Sequence, residues 1–283
     1  MYALAAPIRD DDADFITVSS RRARATREVL TTIGSRVKDA YASYETRWSL
    51  RPAAPDTTWT ASESAALRSN YNLLQRPFRE IRDELLRGAP QRICPMCGHR
   101  EVATLDHYLP KSQFPEFSIL SRNLVPCCPQ CNHKKREKTN EATGRFFHPY
   151  YDEPPHPSSL VATVSFVGGI GVTYSIVGPP DLDDETLANL RFHFRELDLA
   201  DCYSAAAIQE LFDRLEYFRV MLEATSPEWL SDDLRREAQS VISARGVNHW
   251  KSALYRALSS SDDLLSGRFV EHLPHHVTAP RED

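Results

Sequence analysis

Two pairs of cysteines, each with two residues between its members, constrain this chain more than any other feature. They are Cys94/Cys97 and Cys128/Cys131, with thirty residues between the pairs. A tight turn across two residues points both thiolates at one ion, and two such turns complete a tetrahedral zinc site. The spacing leaves a disulfide pair or buried free thiols as alternatives, and a chain without a secretory signal favours metal. We predict a structural zinc ion here, with Cys127 as a neighbour and not a ligand.

The segment between the pairs, together with the residue that follows Cys131, contains the polar groups that phosphodiester hydrolysis requires. Such hydrolysis needs an activated water, a cation on the phosphate oxygens and help for the leaving oxygen. Histidine can be a neutral base near pH 7, and carboxylate or amide oxygens suit Mg²⁺ or Mn²⁺. Asp106, His107 and Asn132 supply this set. A single histidine is more often a structural hydrogen-bonding group, so the prediction depends on all three residues together.

The residues around the Asp-His pair alternate as a strand does. In a strand over Leu105–Tyr108, Asp106 and His107 project to opposite faces. A bend or a bulge would be needed to bring both side chains to one side.

The segment from Ile93 to Lys138 resembles the HNH endonuclease family. The resemblance rests on the CxxC frame, the Asp-His pair, the Asn-Leu-Val-Pro-Cys stretch and the Cys-Asn-x-x-Lys ending. It implies a ββα-metal core, in which two strands and a helix hold one catalytic divalent ion. The form DHYLPKSxFPEFS also looks like a branch of bacterial HNH proteins met near phage-defence genes.

The resemblance implies a role for each matching residue. His107 corresponds to the general base that activates water, and Asp106 and Asn132 correspond to the ligands of the catalytic metal. Asn123 corresponds to the middle asparagine, which braces the loop that holds the histidine. Lys135 falls on the terminal lysine of the family and is expected to meet a phosphate.

The end of the motif departs from one common form of the family. Many members with a histidine at the third position add a second histidine one turn later, and Arg136 stands there in this chain. Two oxygen ligands should then prefer Mg²⁺ or Mn²⁺ to zinc as the catalytic ion. The residues expected to contact nucleic acid form the basic run that follows: Lys134, Lys135, Arg136 and Lys138.

The charge of the chain is unevenly distributed. Residues 91–145 contain nine Lys and Arg against five Asp and Glu, a local charge of +4, whereas the whole chain carries −5 and the remainder −9. A basic site in an acidic body indicates focused contact with phosphate and not a general coating of DNA. The arginines at the start of the 21–50 segment offer a second phosphate-contacting face, although a solvated helix face explains them as well.

The flanks of the motif are predicted to be mainly helical. Apolar spacing predicts a helix over residues 21–50 and a second helix from Thr60, which Pro77 should kink or split. Leu160–Val177 alternates around Gly168-Gly169, which predicts a β-hairpin. Further helices follow residue 181, including one that opens at Pro227.

An aromatic and proline-rich stretch, 146–157, lies between the motif and this hairpin. It is either a structured linker that covers the motif's helix or an aromatic surface for unstacked bases.

These features predict an α+β protein. Its divisions are a helical region (1–90), an HNH nuclease domain (91–152), a linker and hairpin (153–180) and a helical region (181–283).

The leading hypothesis for function is a metal-dependent DNA endonuclease, which by the family's mechanism leaves 5′-phosphate and 3′-hydroxyl ends. The alternative is a zinc-dependent binding or assembly module without catalysis, and RNA cleavage is a third outcome. We also expect a cytoplasmic protein with no membrane span, and the absence of a GxxxxGK[ST] loop predicts that the chain does not hydrolyse ATP itself. The charge of −9 outside the motif and the flanks without evident chemistry lead us to expect a partner protein, an ATPase or a sensor, that licenses cutting. The alternative is that the flanks only shield the nuclease.

Overall fold

The computed structural model describes residues 1–154 and 158–272 of the chain. These residues form two compact units. The first unit contains Met1–Glu153 and Ala188–Leu197, and the second contains the described residues of Pro154–Leu187 and Asp198–Asp283. The segments 1–90 and 91–152 that the sequence distinguished therefore lie together in the first unit. Among the described residues, no helix combines the length and the apolar composition that crossing a lipid bilayer requires.

Five helices precede the cysteine-framed segment of the first unit. They are α1 (Asp11–Ser20), α2 (Arg24–Thr32), α3 (Gly34–Arg47), α4 (Ala61–Leu73) and α5 (Arg79–Arg87). The first was not predicted from the sequence, since it buries few apolar side chains. It starts where the Asp10 side chain accepts a hydrogen bond from the backbone N–H of Ala13, which satisfies a donor that the helix itself leaves free.

The single helix predicted over residues 21–50 is wrong. Helix α2 ends at Thr32, and helix α3 begins at Gly34 after Ile33. The sequence at the break is Thr31-Thr32-Ile33-Gly34, three β-branched residues followed by a glycine. Both kinds of residue form helices less readily than alanine or leucine. The apolar spacing still marks the buried side, because Leu30, Val37, Tyr41 and Tyr44 are all buried.

The predicted start and break of the second helical segment are confirmed. Thr60 caps α4: its hydroxyl accepts from Glu63 N, and the Glu63 carboxylate accepts from Thr60 N, so both halves of a capping box are present. Helix α4 ends at Leu73, before Pro77, and α5 starts at Arg79. Proline cannot donate the hydrogen bond that a continuous helix would need.

A small antiparallel sheet and one short helix form the centre of the cysteine-framed segment. Strand β1 (Thr104–His107) pairs with β2 (Leu124–Cys127), and helix α6 (Pro129–Lys135) follows β2 directly. Thr104 lies opposite Cys127 and His107 lies opposite Leu124, in a continuous register without a bulge. The loop between the strands contains two short 3₁₀ turns.

The aromatic stretch after this helix is packed inward. Phe146, Phe147 and His148 are buried, so their rings are not available to stack on unpaired bases. The Lys135 ammonium lies 5.6 Å from the centre of the Phe146 ring, which agrees with a linker that covers α6. Residues 155–157 of the stretch lie outside the described residues.

The second unit combines the predicted hairpin with long helices. The hairpin is β3 (Leu160–Ser165) and β4 (Gly171–Ile176), and Gly168 and Gly169 both have positive φ in its turn, as the glycine pair predicted. The helices are α7 (Asp184–Glu196, whose residues from Ala188 belong to the first unit), α8 (Leu199–Ala224), α9 (Pro227–Arg245), α10 (Trp250–Ser259) and α11 (Asp262–Leu265). Tyr174 of β4 donates a hydrogen bond to Trp250 O, which fixes the hairpin to α10. Taken together, the described residues have the mixed α+β composition that the sequence predicted.

Candidate functional site: a cysteine cluster beside a buried Asp-His pair

The four cysteines of the two CxxC pairs meet in one cluster. The sulfur atoms of Cys94, Cys97, Cys128 and Cys131 all lie within 4.8 Å of one another, and all four residues are buried. Four sulfurs about 2.3 Å from a central zinc ion would have comparable separations. The cluster can therefore hold a structural metal such as zinc, as the spacing predicted.

Backbone amides support this use of the cluster. Arg100 N lies 3.5 Å from the Cys97 sulfur and donates to it, and Cys131 N lies 3.4 Å from the Cys128 sulfur and does the same. An N–H donor directed at sulfur favours the thiolate, which is the form that binds a metal. Gly98 has a φ of +63° in the first turn, a conformation that suits glycine best.

Cys127 adjoins the cluster, as expected of a neighbour. Its sulfur is 3.9 Å from the Cys94 sulfur, and its backbone belongs to β2, where it pairs with Thr104. Cys202, the remaining cysteine, is buried on α8 of the second unit.

Asp106 projects from β1 toward α6. Its Oδ2 lies 3.2 Å from the Nζ of Lys135, and both side chains are buried. The same ammonium donates to His107 O at 2.6 Å. Burial raises the pKa of Asp106, and the Lys135 charge opposes that rise. The carboxylate thus faces a protein cation in the part of the site where the sequence placed a metal ion.

This geometry corrects the role expected for Lys135. Contact with a phosphate requires an accessible ammonium, but Lys135 is 1% exposed and is already paired with Asp106. The rest of the basic run remains on the surface. Arg136 lies 2.8 Å from the His133 ring, and Lys138 pairs with Glu196 at 2.9 Å. Lys134 is exposed as well.

Asn132 lies on the same side of β1 as Asp106. Its side-chain amide donates to Thr104 Oγ1 at 3.0 Å, and Thr104 is two residues before Asp106 on the strand, so both face α6. On α6 itself, Asn132 and Lys135 are three residues apart and occupy one face. The two predicted metal ligands therefore face a common region between β1 and α6.

His107 projects to the opposite face of β1, because the strand is regular and has no bulge. Its Nε2 is 2.9 Å from Ser118 O, and its ring centre is 4.4 Å from that of Tyr71 on α4. A carbonyl can only accept, so the proton resides on Nε2 and the lone pair on Nδ1. Burial, reinforced by the charge of Lys111, lowers the pKa of His107 to about 3. The imidazole is therefore neutral at physiological pH.

Asn123 braces the loop that follows His107. Its Oδ1 accepts from Leu109 N at 2.8 Å and from the Tyr44 hydroxyl at 3.0 Å. Its amide nitrogen donates to Leu109 O at 3.0 Å and to Phe117 O at 3.1 Å. The residue is fully buried. The two bonds to Leu109 and the bond to Phe117 connect it to the loop between the strands, and the bond from Tyr44 connects it to α3.

Two residues behind this brace were not predicted from the sequence. They are His148 and Tyr44. Tyr150 N donates to Nδ1 of His148, so the proton of the His148 ring is on Nε2. This Nε2 donates to the Tyr44 oxygen at 3.1 Å. The Tyr44 hydroxyl can then donate to Asn123. Tyr44 comes from α3, far before the motif, and no local signal connects it with Asn123.

The chain matches no known protein-family model and no solved structure. It is similar to Protein ea31 of Escherichia phage lambda, with 26% identity over 213 residues, which are 70% of this chain and 72% of the phage protein. At this level the similarity does not establish a family, and the name of the phage protein states no activity.

Proposed function

We propose that this protein is a metal-dependent HNH endonuclease that hydrolyses DNA phosphodiester bonds, with His107 as the base. The observation that carries the proposal is the hydrogen bond between His107 Nε2 and Ser118 O. It fixes one tautomer and leaves the Nδ1 lone pair, for which the described part of the chain provides no hydrogen-bond partner. A neutral imidazole held in this way can take a proton from water.

The donor sets fit the two metals that this activity requires. The cysteine cluster would hold zinc as a structural ion, because a signature of four buried sulfurs is typical of closed zinc sites. Asp106 and Asn132 offer oxygen ligands suited to Mg²⁺ or Mn²⁺. When bound, that ion would supply positive charge to the phosphate oxygens. The chain's own contribution is to keep His107 neutral and oriented through Ser118 and Asn123.

The ion pair between Asp106 and Lys135 favours a second candidate, a zinc-dependent nucleic-acid-binding or assembly module without catalysis. In this alternative the ammonium permanently replaces the catalytic cation, and the carboxylate is structural. The two candidates differ in one respect: whether Mg²⁺ or Mn²⁺ can reach Asp106 in competition with Lys135.

The decisive experiment is cleavage of supercoiled plasmid DNA in Mg²⁺ or Mn²⁺ by the wild type and by His107→Ala. Proton transfer by a positioned side chain contributes about 10²- to 10⁴-fold in rate, so we expect a loss of this size with zinc content and DNA affinity preserved. His272→Ala, which removes a histidine of the second unit, is the matched control and should cut normally. Equal cutting by His107→Ala would assign the activity to another site, and no cutting by the wild type would favour the binding module.

We further propose that a partner protein, an ATPase or a sensor, licenses cutting, in the setting of bacterial phage defence that the sequence resemblance implies. The charge of −9 outside residues 91–145 would repel DNA except at the basic site, which slows unlicensed encounters. Co-purification from the native operon, with cleavage assays in the presence and absence of the partner, tests this. A monomeric protein that binds no partner and cuts at full rate alone would contradict it.

A further inference from the structure

Lys111 lies beside the proposed base but was not among the residues singled out in the sequence. Its Nζ is 4.2 Å from the centre of the Tyr71 ring, and that ring is in turn 4.4 Å from the imidazole of His107. The Tyr71 hydroxyl donates to Leu105 O at 3.0 Å, which fixes the ring against β1. The Lys111 ammonium therefore contacts the Tyr71 ring, and the same ring contacts the His107 imidazole.

The Lys111 ammonium has no carboxylate partner among residues 1–154 and 158–272. The side chain is half-buried, and both burial and the positive charge of Arg68 lower its pKa. Arg68 lies three residues before Tyr71 on α4 and is also half-buried, so the two share a helix face. Most other half-buried cations of this unit, including Arg47 and Arg145, contact an acidic side chain.

The contact with the Tyr71 ring does not offset the repulsion between the Lys111 and Arg68 charges. A cation on a tyrosine ring gains only a modest attraction when it is partly exposed to solvent, and it keeps its full charge and still repels a neighbouring arginine. Two partly desolvated cations without an anion are costly to hold together. An arrangement of this kind is suited to receiving an anion from outside the protein, because the anion would neutralise both cations at once.

We propose that Lys111 and Arg68 form the binding site for a backbone phosphate of DNA next to the His107 imidazole, with the Tyr71 ring as its floor. This inference rests on the proposed function and deepens it. It replaces Lys135, which the fold buries, with a lysine from the loop after β1 and an arginine from α4. The phosphate would lie on the face of β1 to which His107 projects.

The test is the salt dependence of DNA binding, measured by fluorescence anisotropy with a labelled duplex and without Mg²⁺ or Mn²⁺, so that no cleavage occurs. Each phosphate contact contributes about 0.9 to the slope of log affinity against log salt concentration. We expect Lys111→Gln and Arg68→Gln each to weaken binding and to lower that slope by about one contact. Lys111→Arg, which keeps the charge, should retain most of the slope.

Arg235→Gln is the matched control, since Arg235 is an exposed arginine of the second unit that pairs with Asp232; it should leave the slope unchanged. Zinc content and urea unfolding of each variant show whether it folds. The proposal is overturned if Lys111→Gln binds with the wild-type slope, if it loses no more than the control, or if the wild type does not bind DNA. The absence of cleavage in Mg²⁺ or Mn²⁺, with the expected change in slope, would reject only the proposed nuclease activity.

Discussion

The Nζ atom of Lys135 lies 3.2 Å from the Oδ2 atom of Asp106, and this ion pair connects α6 to β1 in the interior of the first unit. The lysine also donates to His107 O at 2.6 Å. Both ions have left water, so the pair is stable only because each satisfies the other. Removing one partner would leave the other charge buried and alone.

Lys135→Met should destabilise the protein strongly, because it leaves Asp106 buried without its cation. Breaking a buried pair on one side costs about 3–5 kcal/mol, which urea unfolding followed by tryptophan fluorescence measures. The control Lys134→Met removes an exposed neighbouring charge and should change stability by less than about 0.5 kcal/mol. Adding Asp106→Asn to Lys135→Met should restore part of the loss; a double variant as unstable as the sum of the two single variants would argue against the pair.

Lys135→Met should also bind Mn²⁺ more tightly than the wild type does, if the catalytic ion occupies the region between Asp106 and Asn132. The ammonium both neutralises the carboxylate and repels a second cation, so its removal favours the metal. Titration calorimetry with Mn²⁺ on zinc-loaded protein gives the affinities. Equal affinities in the two proteins would place Mn²⁺ away from Asp106.

The cysteine cluster should contain one zinc ion for each chain, and Cys128→Ser should lose it. Metal binding at such a site is coupled to folding, so the loss of zinc should be accompanied by loss of protease resistance in the first unit. Cys127→Ser is the closest control, because Cys127 adjoins the cluster without completing a CxxC pair. Elemental analysis that finds full zinc in Cys128→Ser, or none in Cys127→Ser, would contradict the assignment of ligands.

Asn123→Ala should be far more destabilising than Asn132→Ala. The first substitution leaves Leu109 N and Leu109 O without their side-chain partner, and each such buried group costs about 1–3 kcal/mol. Phe117 O keeps a bond from Leu120 N, and the Tyr44 oxygen keeps one from His148. Asn132 is only half-buried and makes one side-chain bond, to Thr104, so we expect a loss of about 1 kcal/mol. Urea unfolding of the two variants measures the difference, and similar stabilities would show that Asn123 does not brace the loop.

Stability should fall as the pH drops below about 6.5, and His193 should account for part of the fall. His193 is buried, accepts from Phe147 N and donates to Met96 O, and burial lowers its pKa from 6.5 to about 3. Between these two values the unfolded chain binds a proton that the folded protein excludes, so protonation favours unfolding by up to about 1.4 kcal/mol per pH unit.

Urea unfolding between pH 6.5 and 5.5 tests this expectation. His193→Gln, which retains one donor and one acceptor, should show a smaller pH dependence than the wild type. His133→Gln, at an exposed position, is the control and should not reduce the pH dependence of stability. Equal pH dependence in all three proteins would assign the acid sensitivity to other groups.

The sequence by itself determined the features that depend on short-range geometry. The CxxC spacing brings thiols together in a turn, Thr60 and Glu63 complete a capping box, Pro77 separates two helices, and a glycine pair closes a hairpin. Each of these follows from the sterics and hydrogen bonds of a few adjacent residues. Alternation likewise predicted that Asp106 and His107 would face opposite sides of β1.

Only the tertiary structure decided which charged groups are buried and what lies beside them. Lys134, Lys135 and Arg136 look equivalent in the sequence, but only Lys135 is on the side of α6 that packs on β1. Tyr71 and Tyr44 come from helices far earlier in the chain and contact His107 and Asn123 respectively. Burial and charge pairing result from contacts between distant segments, and the local pattern of residues does not contain them.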